Sequence, residues 1–143
     1  TISTTLLDAS LIAPTPALKQ RLALAPREKV LSIRRLRGTS SVFPIVLLHS
    51  HIPAHYNINP AEDFATSLYH LLETKYRIPI LYADEQISAR PAQTDEAKLL
   101  HIKPQDTVLY MERMTYTTHD RPLEHVKAIY RPEHYTFSIR LRR

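Results

Sequence analysis

Two arginines spaced two apart are the residues best suited to holding a small acid. Arg35 and Arg37 end the run VLSIRRLR that starts at Val30. In an extended strand, residues two apart point to one face, so the two guanidiniums project together. Leu31 and Ile33 share that face and are apolar enough to make it the buried one. Two forked donors at the end of a half-buried strand suit a carboxylate or a phosphate. The plainer reading is a rim pair with Asp or Glu. Glu124 and Tyr130 lie six apart on a second predicted strand, on one face with Val126 and Ala128. Glu124 can accept hydroxyl or amine hydrogens, and Tyr130 can stack and donate. The alternative for Glu124 is an ion pair with an arginine. Ser67 and Tyr69 lie two apart on a predicted helix and so do not share a face. In a first turn Ser67 would stand among free N–H groups that attract anions, or serve as a plain cap. Tyr69 reads as a packing residue between helix and sheet.

Other polar groups carry less. His49, His51 and His55 form H-x-H-x3-H, which places the first two on one strand face. Without a third ligand this reads as a half-exposed histidine pair, and no metal is assigned. Asp84, Glu85 and Glu112 are strand carboxylates whose default is a rim ion pair rather than paired acid–base work. Arg140, Arg142 and Arg143 read as a solvated edge.

These side chains need a frame. Val30 to Arg37 and FPIVLLHSHIP, closed by Pro53, read as a hairpin across a turn at Gly38–Val42. Residues 60–76 carry Phe64, Leu68, Leu71, Leu72 and Tyr76 at helical spacing, with Thr66 and Ser67 as capping types from which the continuous helix could start. Ile80 to Arg90 reads as a strand, and a short helix follows around Asp95 to Leu100. Thr107–Thr117 and Leu123–Tyr130 form a second hairpin turned at His119-Asp120. Tyr135 to Leu141 reads as a last strand. Sliding the chain on itself by 78 residues gives nine identities over 65 positions, among them Leu22 with Leu100, Val30-Leu31 with Val108-Leu109 and Arg35 with Arg113. Two similar strand–helix–strand–strand halves are expected in one sheet, because neither half would bury much alone. The fold class is α+β: a mainly antiparallel sheet of about six strands with helices packed on one side of it, in one domain over 1–143.

Composition narrows the chemistry. Of 143 residues, 43% are apolar and 23% charged, with a formal charge of +5. That is ordinary for a folded domain. There is no cysteine, which removes disulfides, thiolate metal sites and a Cys nucleophile. A single glycine cannot build a GxGxxG, a P-loop or a G-x-S-x-G elbow. No apolar run approaches about 18 residues, so no membrane span is expected. Thr1 to Ser10 lacks the pattern of a secretory signal. A cytoplasmic protein with no cofactor is the expectation.

The ordered set R-x-R (Arg35, Arg37), S-L-Y at Ser67-Leu68-Tyr69 with LLETKYRI following, VLYMERMTY from Val108, and RPLEHVKAIYRPEHYTF from Arg121 resembles the UTRA domain. This is the effector-sensing half of GntR-type transcription regulators of the HutC subfamily. The resemblance covers nearly the whole chain and implies a fold similar to chorismate lyase, with an internal pseudo-repeat. It implies a sensor, not an enzyme. An N-terminal winged helix-turn-helix domain, absent from this chain, would bind operator DNA as part of a homodimer. A small anionic metabolite would bind the sensor. By the same resemblance Arg35 and Arg37 look like the anion clamp, Ser67 and Tyr69 like contacts at the helix start, and Glu124 and Tyr130 like the polar wall. Two positions depart from the pattern. Leu48 stands where many relatives carry an acidic residue, which argues against a sugar-like effector. Arg77 stands in the usual YGI tripeptide and adds a cation, a candidate further anion contact. The rival is a chorismate lyase-like enzyme acting on an aromatic carboxylate.

Overall fold

The alternation of Val30, Ser32 and Arg34 against Leu31, Ile33 and Arg35 is realised as a strand with two dissimilar faces. In the computed structural model, which describes residues 2–40 and 43–143, Val30, Leu31 and Ile33 are all buried. The elements run β1 (Ser3–Ile12), α1 (Pro16–Arg21), β2 (Val30–Ser40), β3 (Phe43–Pro53), α2 (Leu68–Thr74), β4 (Tyr82–Pro91), α3 (Thr94–Leu100), β5 (Thr107–Thr117) and β6 (Arg121–Tyr130). The six strands form one sheet in the order β1-β2-β3-β6-β5-β4, with every neighbouring pair antiparallel.

The two halves meet at β3 and β6. Each runs strand–helix–strand–strand, and the 78-residue shift carries β1, α1, β2 and β3 onto β4, α3, β5 and β6 with end offsets of at most one residue. The sequence echo is therefore a structural repeat, with α2 inserted between the copies.

Helices occupy both sides of the sheet, not one. Leu31, Ile33 and Ile52 pack with Phe64, Leu68 and Leu72 of the α2 segment. On the opposite face Leu47, Val108 and Ile129 pack with Ala97 and Leu100 of α3. Val30 and Met114 pack there with Leu18 and Leu22 of α1. A sheet with apolar side chains on both faces must be covered on both.

Three boundaries are corrected. Of the helical spacing over 60–76, only Leu68–Thr74 is helix, starting at the cap Ser67 that the sequence offered. Before it, Asn59 Oδ1 accepts from Ala61 N at 2.9 Å and Asp63 Oδ1 from Ala65 N at 3.0 Å. Short polar side chains bonding their own backbone compete with the helix. The turn expected at Gly38–Val42 is displaced, because β2 continues through Ser40, while Ser41 and Val42 lie outside the described residues. The sole glycine, Gly38, sits where the β2–β3 register shifts, and a Cβ there would lie 2.3 Å from the Phe43 carbonyl oxygen. Tyr135–Leu141 does not form a strand; it follows a 3-10 turn at Pro132–His134, the Tyr135 ring centroid lies 4.4 Å from that of Tyr130, and no strand pairing involves it among the described residues.

The second hairpin does turn at His119-Asp120, whose φ values of 59° and 56° are both left-handed. Two successive positive-φ residues match the twist of flanking strands. No helix among the described residues is long and apolar enough to cross a membrane.

Candidate functional site

Arg35 and Arg37 project from the end of β2 into a cavity of about 430 Å³. Its floor is the sheet: Leu48 of β3, Met111 and Arg113 of β5, and Glu124, Val126 and Tyr130 of β6. One wall is the lead into α2, Ala65 to Tyr69. Six of the seven candidate residues, Arg35, Arg37, Ser67, Tyr69, Glu124 and Tyr130, thus line one hollow.

Arg77 is not among its lining residues. It is exposed, with φ 56°, just past the end of α2. Ile78 N donates to Leu72 O at 3.0 Å, closing a helix end that needs a left-handed residue at position 77. A glycine would suit that conformation best. Arg77 therefore terminates a helix rather than lining the hollow.

The polar depth of the cavity is organised around the Tyr69 hydroxyl. It donates to Glu124 Oε1 at 2.8 Å, lies 2.8 Å from Thr115 Oγ1, and accepts from Arg113 Nη1 at 3.3 Å. Arg113 Nε in turn donates to Glu85 Oε1 of β4 at 2.6 Å. Glu124 is buried at 1% exposure, and that burial pushes its carboxyl above the usual range against the pull of Tyr69, Arg35 and Arg113. Burial, then the Glu124 charge, pushes the Tyr69 phenol up to about 12. Tyr69 so remains a hydroxyl donor at neutral pH.

Arg35 is different. Burial pulls its guanidinium below the ordinary value, partly offset by Glu124. Its basicity is high enough that it stays charged. Its Nε is buried with no hydrogen-bond partner. A buried donor without an acceptor is costly, and here it stands at a hollow beside a second, exposed arginine, Arg37.

Ser67 is the N-cap of α2, accepting from His70 N at 3.3 Å. It fixes where the wall ends and the helix begins. Ser67→Ala is expected to lower stability by about 1 kcal/mol, read as a shift in the urea midpoint. An unchanged midpoint would show that the cap is dispensable.

Sequence reasoning gives no site role to Arg113, and it gives Glu85 a rim ion pair, which its contact with Arg113 realises. The signal was present: the 78-residue shift equates Arg113 with Arg35, so a repeated fold presents the arginine twice to the same side of the sheet. The strand carboxylates do not form an acid–base pair. Glu85 pairs with Arg113, whereas Glu112 pairs with Arg21 at 2.6 Å. Glu112 neighbours Arg113 on β5 and so points to the other face.

His49 and His51 lie on that other face, ring centroids 4.2 Å apart, and are more buried than the half-exposed pair expected. Burial pulls them down to about 4 and about 3, so both are neutral. His55 turns away to Glu28 at 2.7 Å. Among the described residues no group of three ligands is placed to hold a metal.

A sequence model of the UTRA domain matches residues 1–136. The chain belongs to the UTRA domain family. This UTRA domain is 32% identical over 134 residues to the HTH-type transcriptional repressor NagR of Bacillus subtilis, covering 92% of this chain and 54% of NagR. It is 29% identical over 158 residues to the HTH-type transcriptional regulator Rv0792c of Mycobacterium tuberculosis, covering all of this chain and 58% of that one. The chain thus spans little more than half the length of these relatives. The ligand-binding domain of a GntR-family transcriptional regulator from Bordetella bronchiseptica superposes with a TM-score of 0.89 at 26% identity, over 99% of this chain and 91% of that one. The effector domain of PhnF from Mycobacterium smegmatis shares the fold, with a TM-score of 0.90 at 20% identity over 100% and 88% of the two chains. The homologues of this UTRA domain are transcription regulators of the GntR family.

Proposed function

We propose that this chain is the effector-sensing and dimerisation domain of a cytoplasmic GntR-family regulator of the HutC type. A small anionic metabolite binds between Arg35 and Arg37, with Tyr69, Glu124 and Tyr130 forming the polar wall. The observation that carries this reading is the buried Arg35 Nε, left without a partner at a hollow that Arg37 also lines. An acid supplies the missing acceptor. The rest of the hollow pairs its own charges: Glu85 takes Arg113, and Tyr69 takes Glu124.

A domain of this kind acts by population shift. The acid binds better in one arrangement of the homodimer than in the other, and that difference alone can move DNA-binding domains attached to it. A coupling of about 1–3 kcal/mol changes operator affinity by roughly 5–150-fold. Leu48 presents no hydroxyl acceptor to the cavity, which favours a carboxylate or other simple anion over a polyol.

A thermal-shift screen across sugar phosphates, amino-acid-derived acids and fatty-acid derivatives tests the reading. Arg37→Ala is expected to weaken the best hit by more than tenfold with the melting temperature nearly unchanged, since Arg37 is exposed. A fall in stability with binding intact would make Arg37 structural. Incubation with chorismate separates the enzymatic rival, which would release 4-hydroxybenzoate.

A further inference from the structure

The β4 strand is an open edge of the sheet, broken by neither a bulge nor an internal proline. Every residue from Tyr82 to Ala89 is exposed, although the strand is ten residues long. Leu81, Tyr82 and Ile87 are large apolar side chains on or beside it. Natural edges are blunted by bulges, by charged side chains, lysine above all, or by proline; β4 has charges only at Asp84, Glu85 and Arg90, and Glu85 is already taken by Arg113. The pairing of β4 with β5 runs without a register shift, β4 holds no lysine, and its only proline is its last residue, Pro91. The opposite edge, β1, is guarded by a register shift between Leu6 and Asp8. An open, flat, partly apolar edge is a template for another strand.

The missing strand is present in the sequence. Tyr135, Phe137, Ile139 and Leu141 alternate with Thr136, Ser138, Arg140 and Arg142. This is the two-residue period of a strand with one apolar face. Phe137, Ile139 and Leu141 are nevertheless 57%, 66% and 81% exposed. Charge complements the fit: β4 carries Asp84 and Glu85, and the tail carries Arg140, Arg142 and Arg143.

We propose that the segment Tyr135–Leu141 of one chain pairs with the outer edge of β4 in a second copy, and reciprocally, so that two such seams hold the homodimer. This rests on the homodimer proposed above and names its interface. Residues on β4 alternate: Ala83, Glu85, Ile87 and Ala89 point to the cavity side, and Tyr82, Asp84 and Gln86 to the other. Phe137, Ile139 and Leu141 join Ile87 on the cavity side, which sets Arg140 and Arg142 beside Asp84. The seam then covers the Glu85–Arg113 pair, one hydrogen bond from Tyr69 in the effector cavity. Excluding water there strengthens that pair, and ties the cavity to the dimer contact.

The test is sedimentation equilibrium of the 143-residue chain with Ile87→Glu and Ile139→Glu. Each is expected to raise the dimer dissociation constant at least tenfold with an unchanged melting curve at monomer concentrations. A dimer that survives both substitutions overturns the proposal. Independently, p-benzoylphenylalanine at Phe137 in an equal mixture of isotopically light and heavy chains is expected to cross-link between chains onto residues 82–90. Adducts on β1, or only within one chain, overturn it. Sulfate affinity, measured on the same variants, keeps the two readings apart. A dimer held elsewhere with sulfate still bound removes this interface alone. A monomeric chain removes the dimer as well, and loss of sulfate binding in Arg37→Ala bears only on the cavity.

Discussion

Arg35→Met is expected to weaken anion binding by about two orders of magnitude while leaving the fold as stable as before at neutral pH, or more so. Losing a buried, hydrogen-bonded charge contact on a ligand costs about 2–5 kcal/mol, and each ~1.4 kcal/mol is tenfold in affinity. The fold loses nothing comparable. The Arg35 Nε makes no hydrogen bond in the free chain, and methionine keeps most of the stem that packs beside Leu48. One opposing effect is known: Arg35 stabilises the Glu124 carboxylate through space. Without it Glu124 takes up a proton more readily, which limits the cost. Isothermal titration with sulfate and with the best acid from the screen reads the first quantity, and a urea midpoint at pH 7 the second. Binding intact with stability lowered by more than about 2 kcal/mol, the range of a broken buried contact, would make Arg35 a structural residue.

Glu124→Gln is expected to stabilise the domain at neutral pH by about 1–3 kcal/mol, the scale on which a buried charge is exchanged for a neutral group of similar shape. Burial raises the native carboxyl above its unfolded value of 4.5. Above that value the unfolded chain gives up the proton while the native one keeps it. The native state then binds more protons, so its stability falls as pH rises through the window from about 4.5 up to the native value. Below the window the side chain is neutral in both states and the two proteins should match. Urea midpoints from pH 4 to pH 8 should therefore diverge upward with pH in favour of the variant. Glutamine keeps an oxygen to accept from the Tyr69 hydroxyl, so the network stays closed. A variant less stable than the parent at pH 7 would show that Arg35 and Arg113 more than offset the cost of burying the ion.

Most of the fold was legible because its signals are local. The alternation around Val30, the left-handed pair at His119-Asp120 and the 78-residue echo each rest on near neighbours or on identity at a fixed shift. Ser67 was legible as a cap because a hydroxyl before Leu68 offers an acceptor to a free amide. The helix start at Ser67 was legible from its capping type, but the helical spacing of Phe64 from Leu68 misleads, because Asn59 and Asp63 bend the backbone there and Phe64 reaches the core from a turn. Arg77 was misplaced because its role follows from a backbone angle, not from its charge. Arg113 was overlooked because its neighbours in sequence say nothing of Tyr69, 44 residues away. Tyr135–Leu141 was read correctly as a pattern and wrongly as an element, since a strand needs a partner and none of the described strands pairs with it.

The repeat has one more consequence. Arg35 and Arg113 stand at equivalent places in the two copies of the motif, yet one is bound to Glu85 and the other is not. A cradle with both guanidiniums idle would welcome a symmetric diacid either way round. This one is polarised, so under the proposed function a guest seats its charged head at Arg35 and its tail elsewhere. The repeat supplies the matched pair; a single glutamate on an outer strand makes its two members unlike.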